Sequence, residues 1–402
     1  MRNFHSILDQ DVKGKRLLVR ADLNVPLNNG AVSDTTRIER FAAGIRPLLD
    51  RGARLVILTH LGRPKNGPEE HFSVAQLIPS LEVALPCTVQ FAAVCIGSEA
   101  ETKANALKDG EVLLCENVRF EAGEESNDLA FAKALSKLGD LYVNDAFSCA
   151  HRAHASTSAI ASLLPSYAGP LLMEELDALS SALEAPQSPA IAIVGGAKVS
   201  SKIAVLKNLV RKLDAVIIGG GMANTFLHAR GAPMGKSLHE ADQVAMVREI
   251  EALAEEHGCR LILPVDIVVA REFEKDSPNI RLSAMQCPAD SMILDAGSAS
   301  IALFEQEIVS ARTVLWNGPL GAFEIQPFDI ATLTLACRTA GLCKDGKLIA
   351  IAGGGDTVAA LNAADVGDSF TYVSSAGGAF LEWLEGKTLP GIAALTHPQK
   401  VA

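Results

Sequence analysis

Along the chain, short runs of β-branched residues and leucine alternate with segments whose apolar positions recur every three or four residues. The runs are Arg16–Arg20, Arg54–Thr59, Val112–Cys115, Leu141–Val143, Ile191–Val194, Ala215–Ile218, Arg260–Leu263, Thr313–Trp316, Leu348–Ala352 and Phe370–Val373. Most are apolar throughout, the pattern of strands buried on both faces. Thr36–Leu49 and Asn127–Leu138 carry charges between their apolar positions and predict amphipathic helices. Val199–Leu213 predicts another, and Glu240–His257 closes at Gly258, a helix C-cap signal. Strand alternating with helix predicts α/β architecture with parallel sheets.

Length divides this pattern in two. The 402 residues exceed the roughly 250–300 at which a single core stops growing. The halves also differ in texture. Before residue 170 every glycine is isolated, whereas Gly195-Gly196, Gly219–Gly221, Gly353–Gly355 and Gly377-Gly378 follow. Leu164–Pro170, with two prolines and a glycine, is the expected boundary. Two domains are therefore expected, 1–170 and 171–385, with a tail over 386–402 that returns to the first.

Composition narrows the class. With 49% apolar and 21% charged residues the chain is not of the disordered type. No apolar stretch reaches the roughly 18–20 residues that span a bilayer, and Met1–Ser6 opens no signal-peptide core. The eight cysteines form no C-x-x-C pair and read as reduced thiols. A cytoplasmic protein without a membrane partner is expected. A net charge of −11 argues against nucleic acid as a partner.

In open parallel sheets ligands bind beyond the carboxyl ends of the strands, so the residues after each run carry the chemistry. In the first half these are Arg20, Asp22 and Asn24; then His60, Gly62 and Arg63; Asn117 and Arg119; and Asp145, His151, Arg152 and His154, with Arg37 opening the next helix. Any one arginine reads as a surface ion pair. As a set in an acidic protein, they predict a pocket for a small polyanion, which guanidinium recognises bidentately. Asp22 and Asp145 could instead orient an arginine.

In the second half the corners are glycine-rich. Gly195-Gly196-Ala197-Lys198 leads towards Lys202, and a helix starting there would put both lysines on one face near its N-terminus. Such a pair opposes the helix dipole unless an anion lies between. Gly353-Gly354-Gly355-Asp356-Thr357 and Ser374–Gly378 have the small residues that let backbone N–H groups approach phosphate. Asp356 could cap its helix and hold Mg²⁺. Neither G-x-G-x-x-G nor a P-loop occurs.

These corners match a known family. Val19–Pro26, Asp34–Ile38, His60–Pro64, Glu116–Phe120, Asn144–Ser156, Val194–Ile203, Gly219–Phe226, Leu263–Asp266, Trp316–Glu324, Gly353–Thr357 and Gly378–Lys387 resemble phosphoglycerate kinases, in the family's order and over essentially the whole length. The resemblance implies two Rossmann-like, doubly wound domains joined by a hinge, usually monomeric. It implies Mg²⁺-dependent phosphoryl transfer between 1,3-bisphosphoglycerate and ADP, giving 3-phosphoglycerate and ATP, with the domains closing around the ligands. Asp22, Leu23, Asn24, Arg37, His60, Leu61, Gly62, Arg63, Arg119 and Arg152 then bind the acid. Gly196, Ala197, Lys198, Lys202, Gly220, Asn317, Glu324, Gly353, Gly354, Gly355, Asp356 and Thr357 bind the nucleotide, with Asp356 on the metal. Arg37, Lys198, Gly355 and Gly377 serve the transferring group. Ser201, Cys115, Ala376 and Met173-Glu174-Glu175 depart from the family pattern without removing a residue of this set.

Two other readings compete. An NAD-dependent dehydrogenase on a similar fold would need the dinucleotide turn and a ribose-binding acid about twenty residues later. A hinge-bending binding protein without catalysis would leave Lys198, Lys202 and Asp356 without a task.

Overall fold

The computed structural model describes residues 4–65 and 67–396; Met1–Asn3 and the tail beyond residue 396 lie outside the described residues. The chain forms two units. One consists of the described residues up to Leu176 together with those from Thr388, the other of Asp177–Lys387.

The first unit is built on six strands, β1 (Arg16–Ala21), β2 (Arg54–Leu58), β3 (Val89–Ala92), β4 (Val112–Cys115), β5 (Leu141–Asp145) and β6 (Ser166–Ala168). They lie in the order β3-β4-β2-β1-β5-β6, every pair parallel. The apolar runs are central because strands covered on both faces need side chains that tolerate burial everywhere. β3 and β6 were not expected from the sequence. Both are short edge strands, Ser166–Ala168 falling inside the expected boundary.

Helix α1 (Thr36–Asp50) turns Ile38, Phe41, Ile45 and Leu48 into a core that includes Leu17, Val19, Ile57 and Val143. The Asp34 carboxylate accepts from the Thr36 N–H at its start. The break expected at Leu164–Pro170 is instead the start of α2 (Pro170–Leu183), and the division between units falls inside that helix. Proline suits the first helical position, where no N–H is needed. The tail is tied to the first unit: Asn144 Nδ2 donates to Gly391 O at 3.1 Å, and Gly391 N donates to Ala150 O at 2.9 Å.

In the second unit β7 (Ala190–Val194), β8 (Ala215–Ile218), β9 (Arg260–Ile262), β13 (Thr313–Asn317), β14 (Ile349–Gly353) and β15 (Tyr372–Ser374) form a parallel sheet ordered β9-β8-β7-β13-β14-β15. Strand order reverses between β7 and β13, the switch point at which such sheets bind ligands. A second sheet was not foreseen. It is antiparallel, with β10 (Asp266–Ala270) between β11 (Asn279–Ser283) and β12 (Met292–Ala296). β11 is mostly exposed and polar, so it carries no apolar run to announce it.

Four helices matter for the site: α3 (Ile203–Leu209), α4 (Gly220–Ala229), α5 (Gly355–Ala363) and α6 (Gly377–Leu384). The helix expected over Val199–Leu213 is shorter, beginning as a 3₁₀ turn at Ser200–Lys202. Lys198 therefore lies outside it, and the two lysines do not share one helical face.

Candidate functional site

At the carboxyl ends of β1, β2 and β4 the first unit gathers its basic residues around a rigid loop. Asn117 Nδ2 donates to Leu61 O at 2.8 Å and to Phe72 O at 2.9 Å. Gly62 has φ +63°, and a Cβ there would lie 2.2 Å from the Phe72 ring, so the corner requires glycine. Gly62 N donates to Asn24 Oδ1 at 2.9 Å, and Arg119 donates to Gly62 O at 2.7 Å. Arg37 leaves the first turn of α1 and donates to Asp22 Oδ2 at 2.6 Å and Asn24 O at 3.2 Å. Asp22 thus orients an arginine, one of the two roles open to it from the sequence.

Below this layer Arg20 is buried, with its guanidinium 3.0 Å from His60 Nδ1. Burial, and then the charges of Arg20, Arg119 and Arg152, hold the His60 pKa well below the ordinary imidazole value. His60 is therefore neutral at pH 7. Arg119 Nε is buried without a hydrogen-bond partner among the described residues, 3.4 Å from Glu125 Oε1. Arg63 is exposed, and Arg152 Nε donates to His151 Nε2 at 3.1 Å.

Two of the residues expected at the substrate lie with their side chains in the core. The Leu23 side chain is fully buried in the core and its N–H is used by Thr59 Oγ1 at 3.1 Å. Leu61 is buried too, and its carbonyl is taken by Asn117. Both shape the loop from behind.

Asp145 takes neither of the roles left open to it: among the described residues it forms no ion pair with an arginine, and its carboxylate is buried. Its Oδ1 accepts from Leu171 N at 2.7 Å and Leu172 N at 3.1 Å, capping α2. Full burial pushes its pKa up to about 7 despite those bonds. An aspartate raised in the folded state binds its proton while the unfolded chain has already lost it, so stability falls as pH rises from about 4 to about 7. Asp145→Asn should remove this loss. Denaturant titrations at pH 4 and pH 7.5 should show the variant gaining on wild type at the higher pH.

In the second unit the switch point is a lattice of glycine and asparagine. Lys202 Nζ donates to Gly195 O at 2.7 Å, Asn317 O at 3.1 Å and Asn317 Oδ1 at 2.6 Å. Burial lowers its pKa to about 8, with Asp356 opposing the shift. Asn317 Nδ2 donates to Gly353 O at 2.7 Å, and Gly318 N donates to Thr357 Oγ1 at 2.7 Å. Lys202, Asn317, Gly353 and Thr357 therefore pin three strand ends together. Expected as direct nucleotide contacts, they are committed to the frame in this structure.

Beside the frame lies a cavity of about 530 Å³, in the range of small-molecule sites. Gly196, Ala197, Gly220, Glu324 and Asp356 line it, all expected from the sequence. Lys198 is exposed and does not line it. Sequence reasoning missed the apolar wall of Leu238, Pro264, Ile267, Phe273 and Leu294. Its signal was weak, for four of these come from the unforeseen antiparallel sheet or its flanks. Gly355 and Gly377 open α5 and α6, and a Cβ at either would meet nothing within 4 Å, so the approach to both helix N-termini is clear.

Twin doubly wound sheets, one ending in guanidinium groups and the other in glycine-framed helix N-termini beside a cavity, define an α/β phosphotransferase. A family model described as phosphoglycerate kinase matches residues 7–387. The chain is 57% identical over 384 residues to the phosphoglycerate kinase of Methylobacterium radiotolerans, covering 96% of each chain. It is 55% identical to that of Cereibacter sphaeroides over 388 residues, 96% of this chain and 98% of the relative. The solved phosphoglycerate kinase of Coxiella burnetii superposes with a TM-score of 0.91 at 42% identity, covering 98% of this chain and 99% of that one. The Pyrococcus horikoshii enzyme gives 0.77 at 29% identity, covering 97% and 98%. The chain belongs to the phosphoglycerate kinase family. The dehydrogenase alternative has no support. Strand order in the second unit's parallel sheet is that of dinucleotide-binding folds, so the missing glycine fingerprint carried the distinction.

Proposed function

We propose that the family's reaction, phosphoryl transfer between 1,3-bisphosphoglycerate and ADP, is run by an acid-binding half-site in the first unit and a nucleotide half-site in the second. The observation that carries this division is the contrast between the two sets of strand ends. Arg37, Arg119 and Arg152 stand at one, and open helix N-termini with exposed Asp356 at the other. Asp22, Asn24, His60, Gly62 and Arg63 complete the acid site, with Leu23 and Leu61 behind the loop. The nucleotide base and ribose take the cavity, beside Gly196, Ala197 and Gly220, with Glu324 on the ribose.

In the ATP-consuming direction the nucleophile is a carboxylate, ionised at pH 7. No general base is needed, and neutral His60 serves as a hydrogen-bond donor. Catalysis consists of positioning and of stabilising charge on the transferring group. Arg37 and Lys198 supply that charge, with backbone N–H groups around Gly355 and Gly377. Lys202 adds positive charge from within the frame.

The fit for Mg²⁺ rests on Asp356. Its carboxylate is exposed in the first turn of α5 and makes no hydrogen bond or ion pair among the described residues, leaving its oxygens available to a hard cation. Bound there, the ion would neutralise nucleotide phosphate charge. Asp356→Asn should weaken Mg-nucleotide binding by about tenfold or more while sparing 3-phosphoglycerate, the scale of losing one charged partner. Calorimetry with Mg-ADP and then with 3-phosphoglycerate checks this, and equal losses for both ligands would overturn the assignment.

A cytoplasmic monomer is the form assigned. The eight free cysteines support a reducing compartment, and among the described residues no helix is long and apolar enough to cross a membrane. The test of the whole reading is a coupled assay. ADP should form only when 3-phosphoglycerate, ATP and Mg²⁺ are all present.

A further inference from the structure

Beneath the acid-binding loop runs a buried chain of polar groups that the reaction does not use directly. Glu124 is 0% exposed, Ser156 0% and Arg20 1%. A carboxylate and a guanidinium this deep are tolerated only when paired and fully bonded. Here a hydroxyl stands between them. Ser156 N donates to Glu124 Oε2 at 3.0 Å, and Ser156 Oγ donates to Glu124 Oε1 at 2.6 Å. Arg20 Nε donates to Ser156 Oγ at 2.8 Å, and another Arg20 nitrogen lies 3.0 Å from His60 Nδ1. Tyr142 holds the same corner by donating to Ser156 O at 2.8 Å.

The direction of every proton in this chain follows from its ends. Burial pushes the Glu124 carboxyl up from its ordinary value, and Arg20 and the two Ser156 hydrogen bonds oppose that shift. As the carboxylate that counters Arg20 it can only accept, so the single Ser156 hydroxyl proton points at it. The hydroxyl oxygen is then free to accept from Arg20, which can only donate. Arg20 must likewise donate to His60, so Nδ1 carries no proton and Nε2 carries the ring's only one.

We propose that Glu124 is a positioning residue of the acid-binding half-site: through Ser156 and Arg20 it fixes His60 as the Nε2–H tautomer, set to donate to an anionic oxygen of the substrate. The proposal rests on the assignment of His60 to that half-site. Besides Arg20, the charged and titratable groups facing His60 are Arg119, Arg152, His154, Cys149 and Asp22. The cations among them favour an uncharged ring. None bonds Nδ1 more closely than Arg20 does, so they leave the choice of tautomer to the relay. An imidazole locked in this way offers the same donor across neutral pH.

In Glu124→Gln the amide can donate to Ser156 Oγ and compete with Arg20 for it, and Arg20 loses its buried counter-charge. The relay then no longer orders His60. Long-range ¹H–¹⁵N spectra of histidine-labelled, ligand-free protein, with His60 assigned by its loss in His60→Gln, read the ring directly. Wild type should show Nδ1 bare and Nε2 protonated from pH 5 to 8. Glu124→Gln should show mixed tautomers or a titrating ring, and Glu124→Asp should restore the wild-type pattern. The KM for 3-phosphoglycerate should rise about tenfold in Glu124→Gln, the scale of one charged hydrogen bond, with kcat and the nucleotide KM within about twofold. If Glu124→Gln does not fold, Ser156→Ala interrupts the same relay and is read in the same way. An unchanged tautomer in a folded variant overturns the relay. A changed tautomer with an unchanged KM removes His60 from the substrate and overturns the positioning role together with that assignment.

Discussion

Arg37→Ala should lower kcat by at least about 100-fold, the scale of losing one preorganised donor at a charge-developing centre, with a smaller effect on KM. Its guanidinium is already oriented before any ligand arrives. One nitrogen is held by Asp22 at 2.6 Å and by Asn24 O at 3.2 Å, and its side chain stays about one-third exposed. A planar fork held at one nitrogen has a fixed orientation. Arg37→Lys should therefore recover little, because one ammonium cannot meet Asp22 and a phosphoryl oxygen with the same geometry. Steady-state kinetics in both directions decide the matter. A variant that keeps most of its kcat would take Arg37 out of the chemical step.

Gly195→Ala should be the most damaging small substitution in the second unit. An added Cβ would sit 1.7 Å from Pro319 O and 2.7 Å from its carbonyl carbon, both backbone atoms that cannot swing aside. Relief requires β7 and β13 to part where Gly195 N donates to Asn317 O at 3.0 Å and Lys202 bridges both. The expected cost is about 1–3 kcal/mol or more from overpacking. Nucleotide affinity should fall more than about tenfold, as suits a loss of frame geometry. Gly341→Ala is the control. It lies in a helix with nothing within 4 Å of an added Cβ, and should leave stability unchanged or raise it by a few tenths of a kcal/mol. Chemical denaturation and ADP titration of both variants provide the comparison.

The acid-binding half-site was the more legible of the two. His60, Arg63 and Arg119 follow apolar runs within a few residues and could be found by reading past each run, while Arg37 opens the next helix and Arg152 lies further along its loop. Glu124 could not. It lies in a loop among other acidic residues, and nothing local distinguishes a fully buried carboxylate from the exposed Glu125 beside it. Lys202 was found but misread. Spacing alone placed it beside Lys198 on a helix face, while packing turned its ammonium into the frame between Gly195 and Asn317.

The order of apolar runs and periodic helices by itself determined two parallel sheets and their central strands, because burial on both faces leaves a continuous signature in local composition, while the motifs at the strand ends carried the resemblance to the family. Tertiary structure alone decided the edge strands, the antiparallel sheet with its apolar cavity wall, the division inside α2 and the relay from Glu124 to His60. Those features depend on groups far apart in sequence, such as Ser156 and Arg20, meeting in a dry interior where each polar atom must find a partner, and no local pattern records such a meeting.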